Sequence, residues 1–246
     1  IITSAPHHLS HFHGGLKLAG RKDMSTTRPV AKLPLPQRLV IPLHQHIGEN
    51  GELLVQEGDR VLKGQPLTRC KTYVCAPVHA PTSGTISDIG DYPIPHPSGL
   101  SSLCVVISSD GKDEWLERKP IDDYSQLEPA ELRNIVRQAG IVGLGGATFP
   151  TSVKMNPGPD HAVDTLIING VECEPYITCD DMLMREQPER ILSGIRIIMH
   201  ILQARRCVIA IEDNKPEAIA SIEARLARQP SQEIELLVIP TLYPSG

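Results

Sequence analysis

The sequence predicts an α/β domain on a mainly parallel sheet, preceded by a small all-β domain. Three observations carry this expectation. Between about residues 30 and 115, short apolar runs are broken every few positions by proline or glycine, the texture of short strands joined by tight turns. From about residue 120 onward, apolar residues at helical spacing alternate with short runs of Ile, Leu and Val, as in a βαβ layer. Just after the first of those helices stands Gly143-Leu-Gly-Gly-Ala-Thr-Phe-Pro-Thr151, a loop whose backbone N–H groups are left free to approach an anion.

Residues 1–28 form an N-terminal extension. Its histidines His7, His8, His11 and His13 crowd together and are read as part of a tail, not as a site. Residues 29–118 are assigned to the all-β domain, where Pro34, Pro36 and Pro42 and then Gly48, Gly51, Gly58, Gly64 and Gly84 punctuate the apolar runs. Within it, Val55-Gln-Glu-Gly-Asp-Arg-Val-Leu-Lys-Gly-Gln-Pro-Leu67 followed by Ala76-Pro-Val-His-Ala-Pro-Thr-Ser-Gly-Thr-Ile86 resembles the biotinyl and lipoyl carrier domains. The resemblance implies a flattened barrel of two small sheets. The hairpin position that holds the modified lysine in a carrier is Tyr73 here, with Lys71 the nearest lysine. A scaffold or docking domain without a prosthetic arm is therefore expected.

Residues 119–246 follow a different period. Pro129 suits a first helical turn, Leu132, Ile135, Val136 and Ala139 lie on one helical face, and Gly140 ends the helix in the left-handed conformation. Thr165-Leu-Ile-Ile168 reads as a buried strand. In the segment 181–204, Ile191, Leu192, Ile195, Ile198, Met199 and Leu202 share a helical face. Cys207-Val-Ile-Ala-Ile211 is the next strand, Asn214 caps a helix with Pro216 in its first turn and Ile219, Ile222 and Leu226 facing inward, and residues 234–239 are the last strand. Ligands in such sheets collect beyond the C-terminal strand ends, which singles out Asn169-Gly-Val-Glu-Cys-Glu-Pro175 and Glu212-Asp-Asn214 beside the glycine loop.

Composition narrows the function classes. At 246 residues with 40% hydrophobic content the chain can bury a core. A net charge of -5 gives no basic face for nucleic acid. The apolar run at 195–202 is interrupted by Arg196 and His200 and falls short of the roughly 20 residues of a membrane span. The opening residues lack the sections of a signal peptide, so a cytoplasmic location is expected. Cysteines at 70, 75, 104, 173, 179 and 207 lack the short spacings of zinc or iron–sulfur ligation and are read mostly as ordinary thiols. No metal ligand is expected. The Gly-x-Gly-x-x-Gly fingerprint and the Gly-Lys-Ser/Thr phosphate loop are both missing.

At the loops the residues become recognisable. Gly143-Leu-Gly-Gly-Ala-Thr-Phe-Pro-Thr-Ser-Val-Lys154, with Asn169 and Glu172-Cys-Glu-Pro-Tyr-Ile-Thr-Cys-Asp-Asp181, resembles the flavin- and NADH-binding loops of the flavoprotein subunit of respiratory complex I. Adding Phe12-His-Gly-Gly15, Pro42-Leu-His-Gln-His-Ile-Gly48, His79-Ala-Pro-Thr-Ser-Gly84, Ile211-Glu-Asp-Asn-Lys-Pro216 and Tyr243-Pro-Ser-Gly246, the chain is more similar to the RnfC family, the C-type subunits of the Rnf/Rsx ion-translocating electron transport complexes.

That family resemblance implies a barrel-sandwich hybrid domain followed by a Rossmann-like flavin-binding domain. It further implies a peripheral NADH-oxidising subunit on the cytoplasmic side of the inner membrane, partnered by the other subunits of the complex. NADH passes a hydride to non-covalent FMN, and electrons move on to 4Fe–4S clusters held after residue 246, so the chain reads as an N-terminal fragment. By position, Gly143, Gly145 and Gly146 lie against FMN, Lys154 supplies a positive charge, Asn169 and Glu172 hydrogen-bond the ribityl chain or ring, and Asp213 and Asn214 form a third wall. Phe149 and Glu174 match positions that contact NADH. No side chain is assigned the hydride chemistry itself, which belongs to the cofactors. The chain departs from the complex I pattern at Leu144, Thr148 and Val171, and β-branched Thr148 stands where a glycine is common. A docking or scaffold subunit with a lapsed flavin pocket is the alternative; a carrier protein is disfavoured by Tyr73.

Overall fold

The computed structural model describes residues 14–158, 161–228 and 233–246, which divide into two compact units. One runs from Leu33 to Gly158; the other joins the described residues before 33 to those after 158. The four clustered histidines and Phe12 lie outside the described residues.

The first unit is built on strands β1 (Arg38–Pro42), β2 (Glu52–Leu53), β3 (Arg60–Val61), β4 (Thr68–Arg69), β5 (Gly84–Pro93) and β6 (Ser101–Ser109). Four form an antiparallel sheet in the order β1-β6-β5-β3, and β2 pairs with β4 in a second, two-stranded sheet. The two small sheets that the carrier-domain resemblance implies are present. Ile41, Val61, Leu67, Val78, Ile86, Val105 and Ile107 fill the core between them. The pattern of β5 alternates buried and exposed positions at its start, and a register shift between Ile86 and Asp88 re-aims its second half.

Two further features correct or extend the expectations from sequence. Cys70 and Cys75 form a disulfide with Cα atoms 5.7 Å apart, so the expectation of ordinary thiols holds for Cys104, Cys173, Cys179 and Cys207 only. The turn between β4 and residue 76 brings the pair within bridging distance, a juxtaposition that five-residue spacing does not announce. Tyr73 sits inside this closed turn, and its hydroxyl accepts a hydrogen bond from Asn156 Nδ2 at 2.9 Å.

Helix α1 (Pro129–Gln138) and the short α2 (Thr151–Lys154) pack with this same unit, although the change of texture lies near residue 118. The contacts responsible are long-range: Arg137 Nη2 donates to the Thr72 carbonyl at 2.5 Å, and Ile47 N donates to the Ala147 carbonyl at 3.3 Å. Gly140 closes α1 at φ 69°, and a Cβ built there would stand 2.3 Å from the Pro77 carbonyl oxygen. Beside it, a concavity of about 380 Å³ is lined by β1, His46, His79 and Val142. Burial holds the His79 imidazole below its ordinary pKa, with backbone hydrogen bonds to Gln138 and Pro77 opposing. Gly140→Ala is expected to cost at least about 1–3 kcal/mol, because left-handed strain adds to a backbone clash. A urea titration of the variant against the parent measures this.

The second unit holds β7 (Thr165–Gly170), α3 (Cys179–Glu186), α4 (Pro188–Leu202), β8 (Arg206–Glu212), α5 (Pro216–Arg228) and β9 (Ile234–Ile239). The three strands are all parallel in the order β7-β8-β9, as the βαβ alternation requires. Leu192, Ile195 and Met199 of α4 and Ala218 and Ile222 of α5 bury against Cys207, Ile209 and Ile211 of β8. Two local expectations are corrected. The segment 181–204 is two helices, broken at Gln187 because Pro188 supplies no N–H and starts a new first turn. Asn214 does not cap α5: its Nδ2 donates to Glu212 Oε2 at 3.1 Å and its Oδ1 accepts from Lys215 Nζ at 2.9 Å.

Among the described residues, no helix is long and apolar enough to cross a membrane.

Candidate functional site

The residues singled out by the sequence fall into two groups, one in each unit. In the first, the chain leaves α1 at Gly140 and closes a loop in which Gly143 N donates to the Phe149 carbonyl at 2.8 Å. Thr148 N donates to the Gly145 carbonyl at 3.0 Å, and Thr148 takes φ 42°. The left-handed residue of this loop is thus a β-branched threonine and not a glycine, a conformation costing roughly 1–2 kcal/mol. The Gly143 N–H already has a backbone partner and is not offered to an anion.

Gly145 and Gly146 are different. Neither has positive φ, and a Cβ on either would meet nothing within 4 Å. Nothing in the folded chain requires glycine at these two exposed positions, so their bare backbone suits contact with something external. Lys154, on the last turn of α2, holds its ammonium 5.9 Å from the centre of the Phe149 ring. A Cβ on Gly143 would lie 3.2 Å from the same ammonium. An exposed cation, an aromatic face and an open glycine backbone thus occur within one short loop, a donor set that fits a flat, anionic group.

The second group lies at the C-terminal ends of the parallel strands, where register places Gly170 beside Ile211 and Glu212 beside Ile239. Asn169 Oδ1 accepts from Val171 N at 3.1 Å and turns the chain out of β7. Glu172 is buried, adopts φ 51°, and closes the start of α3: Oε1 accepts from Asp180 N at 2.8 Å and Oε2 from Asp181 N at 3.3 Å. A carboxylate there also complements the positive end of the helix dipole. Burial, with the nearby Glu172 charge, pushes Asp180 above the usual carboxylate range. Burial and the Sγ–H···Glu172 bond push the Cys179 thiol up. Asp213 Oδ1 accepts from Thr241 N at 2.9 Å and from Thr241 Oγ1 at 2.6 Å. Glu174 is exposed, as is Tyr176 two residues on.

Two lysines to which the sequence assigned no role organise this group. Lys215 is fully buried, and its Nζ donates to the Val171 carbonyl at 2.6 Å, to Asn214 Oδ1 at 2.9 Å and to the buried Glu212 carboxylate at 3.1 Å. It ties the β7 loop to the β8 loop. Lys22 Nζ donates to the carbonyls of Glu172, Glu174 and Ile177 at 2.8, 3.1 and 2.6 Å. Burial, and then the charge of Lys215, hold the Lys22 ammonium below its ordinary pKa. Lys215 lies in the strand-end segment 211–216 that the sequence singled out, but its burial depends on the Glu212 carboxylate folded beside it. Lys22 is about 150 residues from its partners and had no such signal.

The structure therefore brings Gly143, Gly145, Gly146, Phe149 and Lys154 together in one unit. It brings Asn169, Glu172, Glu174, Asp213 and Asn214 together in the other. Apart from Glu174, the members of the second group have side chains already hydrogen-bonded within the fold, so they shape loops before they present groups.

Comparison with known proteins adds the family context. Residues 136–246 match the Nuo51 FMN-binding domain family, and residues 10–112 match the RnfC barrel sandwich hybrid domain family. The first match spans both groups of candidate residues. The chain is 53% identical to the C-type subunit of the ion-translocating oxidoreductase complex of Haemophilus influenzae strain PittEE over 235 residues, 96% of this chain and 36% of that relative. It is 53% identical to the protein of the same name from Serratia proteamaculans over 237 residues, 96% of this chain and 33% of that one. The chain thus spans about a third of the length of the curated relatives it matches. Among solved structures, an NAD+-reducing nickel–iron hydrogenase in the air-oxidized state aligns over 47% of this chain and 21% of its own, with TM-score 0.40 and 21% identity.

Proposed function

We propose, for a chain that belongs to the RnfC family of ion-translocating oxidoreductase complex subunits, that it forms the FMN-bearing part of a peripheral NADH-oxidising subunit. The observation that carries the reading is the pair Gly145 and Gly146, whose bare backbone the fold itself does not need, within a segment matching an FMN-binding domain family. Bound FMN would accept a hydride from NADH and release electrons singly toward 4Fe–4S clusters, held by parts of the full subunit beyond this chain.

The roles of this chain's residues follow from their surroundings. Gly143, Gly145 and Gly146 let the backbone approach the flavin, and Lys154 places a positive charge against its phosphate or electron-rich ring. Asn169, Glu172, Asp213 and Asn214 hold the two strand-end loops in the shape that receives FMN. Phe149 and Glu174 are assigned to NADH, by ring stacking and by accepting from nucleotide hydroxyls. The parallel sheet is read as a Rossmann-like layer, with the functional domains divided as 29–118 and 119–246. The subunit is placed on the cytoplasmic side of the membrane, against the other subunits of the complex.

The second reading is a docking subunit without flavin, favoured by strained Thr148 within the loop and by the satisfied side chains of Glu172 and Asp213. Titrating the full-length subunit with FMN while following flavin fluorescence decides between them. Saturable quenching at one FMN per chain is expected; its absence in folded protein leaves the docking reading.

A further inference from the structure

We infer that Lys22 is a positioning residue for the loop 172–177, and that residues 20–25 act as a strap setting this loop's outer face toward NADH. The inference rests on the NADH-oxidising reading of the site. Lys22 belongs to the segment matched by the barrel domain family, yet it packs with the parallel-sheet unit.

The Glu172 carboxylate fixes one end of the loop against α3, but the carbonyls along it take their partners from outside. The loop reverses at two non-glycine residues with positive φ, Glu172 at 51° and Tyr176 at 69°. The turns aim the carbonyls of Glu172, Glu174 and Ile177 at one point, where their aligned dipoles repel. The Lys22 ammonium occupies that point and donates to all three, with a long contact from Lys215 Nζ to the Glu172 carbonyl at 3.5 Å beside it. The strap adds backbone control: Tyr176 N donates to the Gly20 carbonyl at 2.7 Å, and Ser25 Oγ donates to the Tyr176 carbonyl at 3.1 Å. Thr178 Oγ1 donates to Ser25 Oγ at 2.9 Å. With the carbonyls of Glu172, Glu174, Tyr176 and Ile177 held from within, the side chains of Glu174 and Tyr176 are left exposed. Preorganised contacts of this kind act on binding without touching the reacting atoms.

The test uses the FMN-loaded full-length subunit and anaerobic reduction of its flavin by NADH, read by absorbance. Lys22→Met is expected to raise the NADH concentration for half-maximal reduction about tenfold or more, while the limiting rate stays within about twofold. Lys22→Arg, which restores the cation and its donors, is expected to recover most of the difference. Hydrogen exchange at residues 172–177 should rise in Lys22→Met and not elsewhere in the sheet. Should Lys22→Met fail to fold, Ser25→Ala decides by a smaller shift in the same direction. Unchanged half-saturation in the folded variants overturns the inference while the parent protein is still reduced by NADH. A parent that holds FMN but is not reduced by NADH instead sinks the reading on which the inference rests.

Discussion

Lys215→Met is expected to destabilise the parallel-sheet unit by about 3–5 kcal/mol, the usual consequence of removing one partner of a buried ion pair. Lys215 and Glu212 are both fully buried, and Lys215 also satisfies the Val171 carbonyl and Asn214. Without the ammonium, the Glu212 carboxylate keeps, among the described residues, hydrogen bonds from Asn214 Nδ2 and, at 3.4 Å, from Leu242 N, with the Lys22 charge acting from farther off. That is too little for a charge out of water. Urea denaturation followed by far-ultraviolet circular dichroism should show the loss. The double variant Lys215→Met with Glu212→Leu should recover a substantial part, since it removes the stranded charge. A loss below about 1 kcal/mol in the single variant would contradict the picture of Lys215 as the bolt between the two strand-end loops.

Gly146→Ala should do the opposite, leaving stability within about 0.5 kcal/mol and weakening FMN about tenfold or more, equivalent to roughly 1.4 kcal/mol of binding. The backbone at Gly146 is open to an L-residue and the space around its Cβ is empty. Only a ligand lying against the loop would meet the added methyl. Gly145→Ala should behave alike. Gly143 is not an equivalent probe, because its Cβ would crowd Lys154 Nζ and mix a change of loop shape into the result. Flavin fluorescence titration of the full-length variants separates the cases; unchanged affinity at both positions would remove the glycine loop from the FMN site.

The elements with dense local signals were legible. Helix α1 was readable from Pro129, the 132/135/136/139 spacing and Gly140, and its end is indeed left-handed at Gly140. The parallel direction of β7, β8 and β9 followed from strands alternating with helices, and the structure supplied their order. The break at Pro188 was available in principle, since proline cannot continue a hydrogen-bonded helix, but a continuous apolar face masked it. The Cys70–Cys75 bridge and the contact of α1 with the turn it closes depend on long-range geometry that spacing does not encode.

The same division runs through the candidate site. By itself the sequence determined where to look, because glycines, a cation and strand-end polar groups at family spacing single out the loops proposed for the cofactor. Only the tertiary structure decided which partners each one takes within the fold. Glu172, read as a flavin ligand, closes α3; Asn214, read as a cap, braces Lys215; and the left-handed position of the glycine loop belongs to Thr148. The reason is physical. A hydrogen-bonding group takes whichever partner the fold leaves within about 3 Å, and for Lys22 that partner lies some 150 residues away along the chain.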